Sequence, residues 1–200
     1  MNNTYPIIET FYSIQGEGNY QGHAAFFIRL AGCDVGCVWC DVKESWDANK
    51  HAERSVESLL QEVKQTAASI VIITGGEPLM YDCLALTEAL QQAGYKTHVE
   101  TSGAYPLSGK WDWVCVSPKK FKAPLDSVLI KADELKVVVF NKTDIAWALQ
   151  HAEKVNSTCL LFLQPEWSKE KEMLPLITTF IQENPTWKLS LQIHKYMGVR

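Results

Sequence analysis

The chain has 200 residues, is 46% hydrophobic and has a formal charge of −4, from 19 Lys+Arg against 23 Asp+Glu. That balance excludes a broadly basic, phosphate-neutralising surface, so no nucleic-acid partner is expected; the length suits one domain, residues 1–200, with no linker or repeat. No apolar run nears the roughly 20 residues of a membrane span and Met1 to Pro6 lacks leader character, so a cytoplasmic, reducing location without membrane contact is expected, where six cysteines need not be disulfides.

In chain order, Gly16, Gly18 and Gly22 come first. They precede a strand and open no helix, so they do not make a dinucleotide loop. Glycines here let the backbone turn tightly or approach a ligand. Residues 26–30 read as a strand with Arg29 inside an apolar run, where a charge needs either an ion-pair partner or an anionic ligand. Directly after it stand Cys33, Cys37 and Cys40, in C-x3-C-x2-C spacing. Three thiolates from one loop suit a four-iron cluster with one iron left free for a small molecule, since such clusters commonly take four. The rivals are a zinc site completed by His51 and a redox pair of Cys37 with Cys40. Trp39, beside the last cysteine, is placed to stack on a nucleobase or to pack in the core.

Ser55 is a helix cap, with Val56, Leu59, Leu60, Val63 and Ala67 on one face of the helix it starts. Residues 70–74 form a β-branched strand ending in Thr74-Gly75-Gly76-Glu77-Pro78. Two glycines there expose backbone groups at the sheet edge, and Glu77 adds a carboxylate that could meet an amino acid's ammonium. A plain strand-to-helix turn fits the same residues. A helix follows through Leu79, Cys83, Leu86 and Leu90 to Gly94. Further strands are expected at 96–100, 113–117, 134–140 and 160–164, helices at 143–155 and 168–184, and a closing strand at 189–194. Cys83, Cys115 and Cys159, each isolated in apolar surroundings, read as small buried hydrophobes.

This alternation predicts an α/β fold with parallel strands and helices packed outside. The units are too few for an eight-fold barrel, so a partial (β/α)6-type barrel or open curved sheet is expected. The polar motifs all follow strands: the cysteine loop, the 74–78 turn, residues 100–103, 117–119 and 164–165. They should meet at the carboxyl ends of the strands.

On its cysteine loop and Gly-Gly-Glu-Pro turn the chain resembles the radical S-adenosylmethionine enzymes. Within them it is similar to the 7-carboxy-7-deazaguanine synthase family, with supporting matches at residues 9–18, 27–30, 100–103, 116–119 and 192–195. The resemblance implies a radical SAM core in which Cys33, Cys37 and Cys40 hold a [4Fe–4S] cluster and S-adenosylmethionine binds the free iron. It implies a lyase reaction of queuosine and deazapurine biosynthesis. A 5′-deoxyadenosyl radical would take hydrogen from C6 of 6-carboxy-5,6,7,8-tetrahydropterin, and ring contraction with loss of ammonia would give 7-carboxy-7-deazaguanine. No catalytic side chain beyond the cluster and cofactor is implied. By similarity Trp39, Cys40, Asp41, Gly76, Ser117, Pro118, Lys119 and Gln164 contact the cofactor; Ile14, Gln15, Gly16, Arg29 and Thr74 contact the pterin, with Arg200 near it. A flavodoxin- or ferredoxin-type reductant and a homodimer are also implied.

One position departs from the resemblance. After the last cysteine the family usually has Thr or Ser two residues on, ligating a Mg2+ that bridges to the substrate; this chain has Val42. Magnesium wants oxygen. Either Asp41, substrate and water hold the ion or it is dispensed with, and weak dependence on Mg2+ is the expectation. The alternatives are a glycyl-radical activase and, outside enzymes, a zinc-stabilised binding module. Arg29 and residues 15–18 favour a small acidic ligand over a protein partner.

Overall fold

The structure is a computed structural model describing residues 3–200; Met1 and Asn2, the start of the segment inspected for a leader, lie outside the described residues. Its strands are β1 (Thr4–Ile14), β2 (Ala24–Leu30), β3 (Glu53–Ser55), β4 (Ile70–Gly75), β5 (Lys96–Thr101), β6 (Trp113–Val116), β7 (Glu134–Val139), β8 (Leu160–Pro165) and β9 (Trp187–Leu189). The helices are α1 (Val56–Val63), α2 (Leu84–Gln92), α3 (Asp126–Leu129), α4 (Thr143–Ala152), α5 (Glu170–Glu183) and α6 (Ile193–Met197).

All nine strands join in one open sheet, in the order β3-β1-β2-β4-β5-β6-β7-β8-β9. From β2 to β9 every neighbouring pair is parallel, as the strand–helix alternation requires. β1 is antiparallel to both β2 and β3.

Alternation along each strand places the site. Successive side chains point to opposite faces. Phe26, Ile28 and Leu30 of β2, with Val71 and Ile73 of β4, pack outward with Leu59, Leu86 and Leu90 of α1 and α2. Leu135, Val137 and Val139 of β7 do the same with Ile177 of α5. The intervening residues therefore face inward: Arg29, Thr74, Glu100, Lys136 and Gln164, all of which border one cavity. Below them Ala25, Phe27, Ile70 and Ile72 form a small apolar floor with Phe11 and Tyr20.

Several expected boundaries move. The strand expected at 189–194 ends at Leu189, and α6 begins at Ile193. The helix expected from Leu79 splits into a single 3-10 turn, Pro78–Met80, and α2, which starts only at Leu84. Glu77 causes the split: its side chain caps the turn by accepting from the Leu79 N–H, and Tyr81 is extended. α1 stops at Val63, leaving Ala67 exposed beyond it, and α4 stops at Ala152. No helix separates β5 from β6, and α3 is a single turn. Cys83 and Cys115 are buried as expected, whereas Cys159 is only half-buried.

No helix among the described residues is long and apolar enough to cross a membrane.

Candidate active site

The motifs following the strands do converge. Ile14, Gln15, Gly16, Arg29, Cys33, Cys37, Trp39, Cys40, Asp41, Thr74, Gly76, Ser117, Lys119, Gln164 and Arg200 all border one cavity of ≈ 300 Å³. Pro118 is the exception. It is buried beside this cavity and faces a smaller hollow that it shares with Trp39 and Lys119.

The cysteine loop leaves the end of β2 and is tied down at its base. The Gly32 N–H donates to Ser45 O at 2.6 Å, and the Cys33 N–H to Trp46 O at 3.3 Å. On its outer side Asp34 accepts from Tyr105 Oη at 2.5 Å and from Lys122 Nζ at 2.7 Å. All three thiols are free. Burial pushes Cys37 up to about 11, against the opposing pull of Lys119, and also raises Cys33. Loading a metal group must therefore displace protons, and metal binding supplies that free energy. Among the described residues no three His, Cys, Asp or Glu groups gather around a single ion position. Soft thiolates spread along one loop fit a larger thiolate-held group such as a four-iron cluster, and count against a compact zinc site.

The 74–78 turn is joined to that loop. The Gly76 N–H donates to Leu30 O at 3.0 Å and the Glu77 N–H to Gly32 O at 2.8 Å. A Cβ on Gly76 would lie 2.3 Å from Gly32 O, a clash with backbone, so glycine is needed for the two segments to touch. Glu77 does not offer a free carboxylate. It is 1% exposed and accepts from the Leu79 and Ser102 N–H groups and from the Thr101 and Ser102 hydroxyls. The ammonium site foreseen at Glu77 is thus occupied by protein donors, and the turn presents backbone groups instead.

Arg29 has the internal ion-pair partner, one of the two alternatives its position called for. Its Nε donates to Glu9 Oε1 at 3.0 Å, while the residue still borders the cavity. Arg200 takes the other oxygen of the same carboxylate, Nη1 to Oε2 at 2.7 Å. Ser13 Oγ holds the Arg200 carbonyl at 2.7 Å.

The sequence reading missed an ion cluster on the inner face. Lys136 Nζ, with the side chain 3% exposed, lies 2.7 Å from Glu17 Oε2 and 2.9 Å from Glu100 Oε2. Gln192 Nε2 donates to Glu17 Oε1 at 2.8 Å, and Gln15 Nε2 to Glu100 Oε1 at 3.1 Å. Burial opposes charge on both partners. The adjacent Lys136 nevertheless lowers Glu17 to about 2, and Cys115, Glu100, Glu17 and Glu134 around Lys136 hold it well above the ordinary lysine range. The available signal was the one used for Arg29, a charge within an apolar strand. Burial lowers His194, which also borders the cavity, and keeps it neutral at pH 7.

The remaining cofactor candidates are held as follows. Lys119 Nζ donates to Ser117 Oγ at 2.6 Å and lies 5.3 Å from the Trp39 ring. Gln164 Oε1 accepts from Ser190 Oγ at 2.7 Å. Asp41 is largely exposed, with Lys195 Nζ 3.5 Å away. Val42 borders the cavity and offers no side-chain oxygen, but Ser45 does so one turn later.

The profile of the radical SAM superfamily matches residues 27–116. A 7-carboxy-7-deazaguanine synthase of Flavobacterium psychrophilum is 50% identical over 194 residues, covering 97% of this chain and 92% of that protein. The synthase of Escherichia coli K12 is 34% identical, with 98% and 99% covered. A solved structure described as QueE from Escherichia coli is similar with a TM-score of 0.86 at 33% identity, covering 94% of each chain.

Proposed function

The chain belongs to the 7-carboxy-7-deazaguanine synthase family of radical SAM enzymes, and from that membership we propose that it converts 6-carboxy-5,6,7,8-tetrahydropterin to 7-carboxy-7-deazaguanine with loss of ammonia. The reaction is a lyase-type ring contraction in queuosine and deazapurine biosynthesis, carried out in the cytoplasm by a homodimer. The observation that carries this reading is the meeting of the three thiols and Arg29 at one cavity. A glycyl-radical activase is not favoured: relatives at 34% and 50% identity, matched over nearly their full length, are synthases.

Cys33, Cys37 and Cys40 would hold the cluster, and the 74–78 turn would border S-adenosylmethionine. When bound, cluster and cofactor supply the one-electron reduction and hydrogen abstraction, with the electron coming from a flavodoxin- or ferredoxin-type protein. The protein's own work is placement and electrostatics.

Arg29 recognises the pterin carboxylate with its free guanidinium nitrogens, while Glu9 fixes its Nε. Thr74 and the Ile14–Gly16 backbone border the same ligand. Glu17 and Glu100, held in place by Lys136, are acceptors for the N–H-rich edge of the pterin. Glu17 is too acidic to donate a proton near pH 7. Neutral His194 is available to accept a proton shed by the ring. Trp39, Trp46 and Trp167 border the cavity and limit water entry.

The test is anaerobic reconstitution followed by incubation with pterin, S-adenosylmethionine and a low-potential reductant. Iron and sulfide incorporation, with formation of the deazaguanine and ammonia, is expected. Zinc in place of iron, or cofactor cleavage that leaves the pterin unconsumed, refutes the reading.

A further inference from the structure

Among the described residues, two buried side-chain polar atoms have no hydrogen-bond partner in the protein, Ser45 Oγ and His98 Nε2. An unpaired buried hydroxyl costs about 1–3 kcal/mol, so its retention calls for an explanation. Ser45 is 1% exposed yet borders the active-site cavity. Its backbone is fixed, because the Ser45 N–H donates to Val42 O at 3.0 Å and Ser45 O accepts from Gly32. Residues Lys43–Trp46 form a 3-10 turn with Val42 as its cap. With three residues per turn, side chains at i and i+3 stack on one face. Ser45 Oγ thus shares a face with Val42. The hydroxyl missing at position 42 is present one turn later.

The surroundings limit what that oxygen can meet. Glu9 is shared by Arg29 and Arg200, Glu17 and Glu100 by Lys136, and Glu77 accepts four internal hydrogen bonds. A cation entering here meets a neutral hydroxyl, the exposed Asp41 carboxylate beside Lys195 at the rim, and whatever carboxylate the ligand brings. Such a donor set does not suit a calcium cage. It suits Mg2+, which keeps several waters and shares anionic oxygens of the substrate.

We infer that Ser45 Oγ is the protein oxygen through which this chain holds a Mg2+ ion against the pterin carboxylate, in place of a hydroxyl at position 42. The assignment rests on the pterin reading of the same cavity. It also replaces the expectation of weak Mg2+ dependence drawn from Val42 alone.

The experiment is equilibrium dialysis of the carboxypterin against cluster-loaded, S-adenosylmethionine-bound protein, kept oxidised so that nothing turns over. Mg2+ should tighten binding in the native chain by at least about tenfold over chelator. Ser45→Ala should abolish that gain, and adding Val42→Thr to Ser45→Ala should restore it. With Mn2+ as probe, a pterin-dependent bound-metal EPR signal should appear in the native chain and vanish in Ser45→Ala. Iron content and circular dichroism check folding, and Ser45→Gly repeats the test should alanine disturb the turn.

A Mg2+ effect that survives loss of the hydroxyl overturns the assignment. So does native binding that ignores Mg2+; if Ser45→Ala then still weakens the pterin, the hydroxyl bonds the ligand directly without metal. A native chain that binds no pterin with or without Mg2+ is a separate result, and overturns the functional reading together with the Ser45 assignment.

Discussion

Lys136 shows how much one residue decides. Its ammonium is the only cation between Glu17 and Glu100 among the described contacts, and it is withdrawn from water. Removing one member of a buried ionic group leaves uncompensated charge, which typically destabilises by about 3–5 kcal/mol. Lys136→Met should therefore lower stability on that scale, read as a drop in urea midpoint. Adding Glu17→Gln and Glu100→Gln should recover most of the loss while still abolishing pterin binding. A Lys136→Met midpoint within experimental error of native would refute this view of the cluster. Arg29 behaves differently, because its partner Glu9 stays partly exposed and already serves a second arginine.

Among elements, α1 offers the clearest test, since its start was legible before its partners were. Ser55 Oγ accepts from the Ser58 N–H at 3.2 Å. Ser55→Ala should cost about 1 kcal/mol, equivalent to a melting point lower by about 2–4 °C in a domain of this size; Ser55→Asp should keep the native value. The parallel strands were legible for a similar reason, because runs such as Ile70-Val71-Ile72-Ile73 are apolar and buried in every residue. β1 was not. A shift in register between Ile7 and Glu9 breaks its alternation, and its polar residues look like those of a loop until β2 lies beside it. The closing strand at 189–194 failed because Gln192 and His194 alternate with apolar neighbours while belonging to a helix entry. In the site, local motifs such as the cysteines and Gly75-Gly76 were readable. The Glu17–Lys136 pair spans 119 residues, and no window of sequence reveals which distant charges will meet.

At the scale of the whole molecule, acid should unfold the protein in two overlapping stages. His98 is buried against Tyr20 and Trp113, with Asp112, Lys96 and His23 nearby. Burial lowers it from 6.5 to about 4. Between those values the unfolded chain takes up a proton that the native state refuses, so stability falls as pH drops through that window. The loss at this one site is on the order of 3 kcal/mol. Glu17 acts in the same direction lower down. Its native value of about 2 against 4.5 means stability present above 4.5 and lost as pH falls toward 2. Urea midpoints between pH 7 and 4 should flatten in His98→Phe, and an unchanged slope would refute the assignment. The open sheet has a further consequence at this scale. At its two ends stand the three-residue strands β3 and β9, whose residues include the charged Glu53, Arg54 and Lys188, and β3 covers only Thr4–Pro6 of β1. Margins so brief and charged are poor templates for a foreign strand. The sheet can thus remain unclosed around its cavity while offering little at β3 or β9 for end-to-end polymerisation to build on.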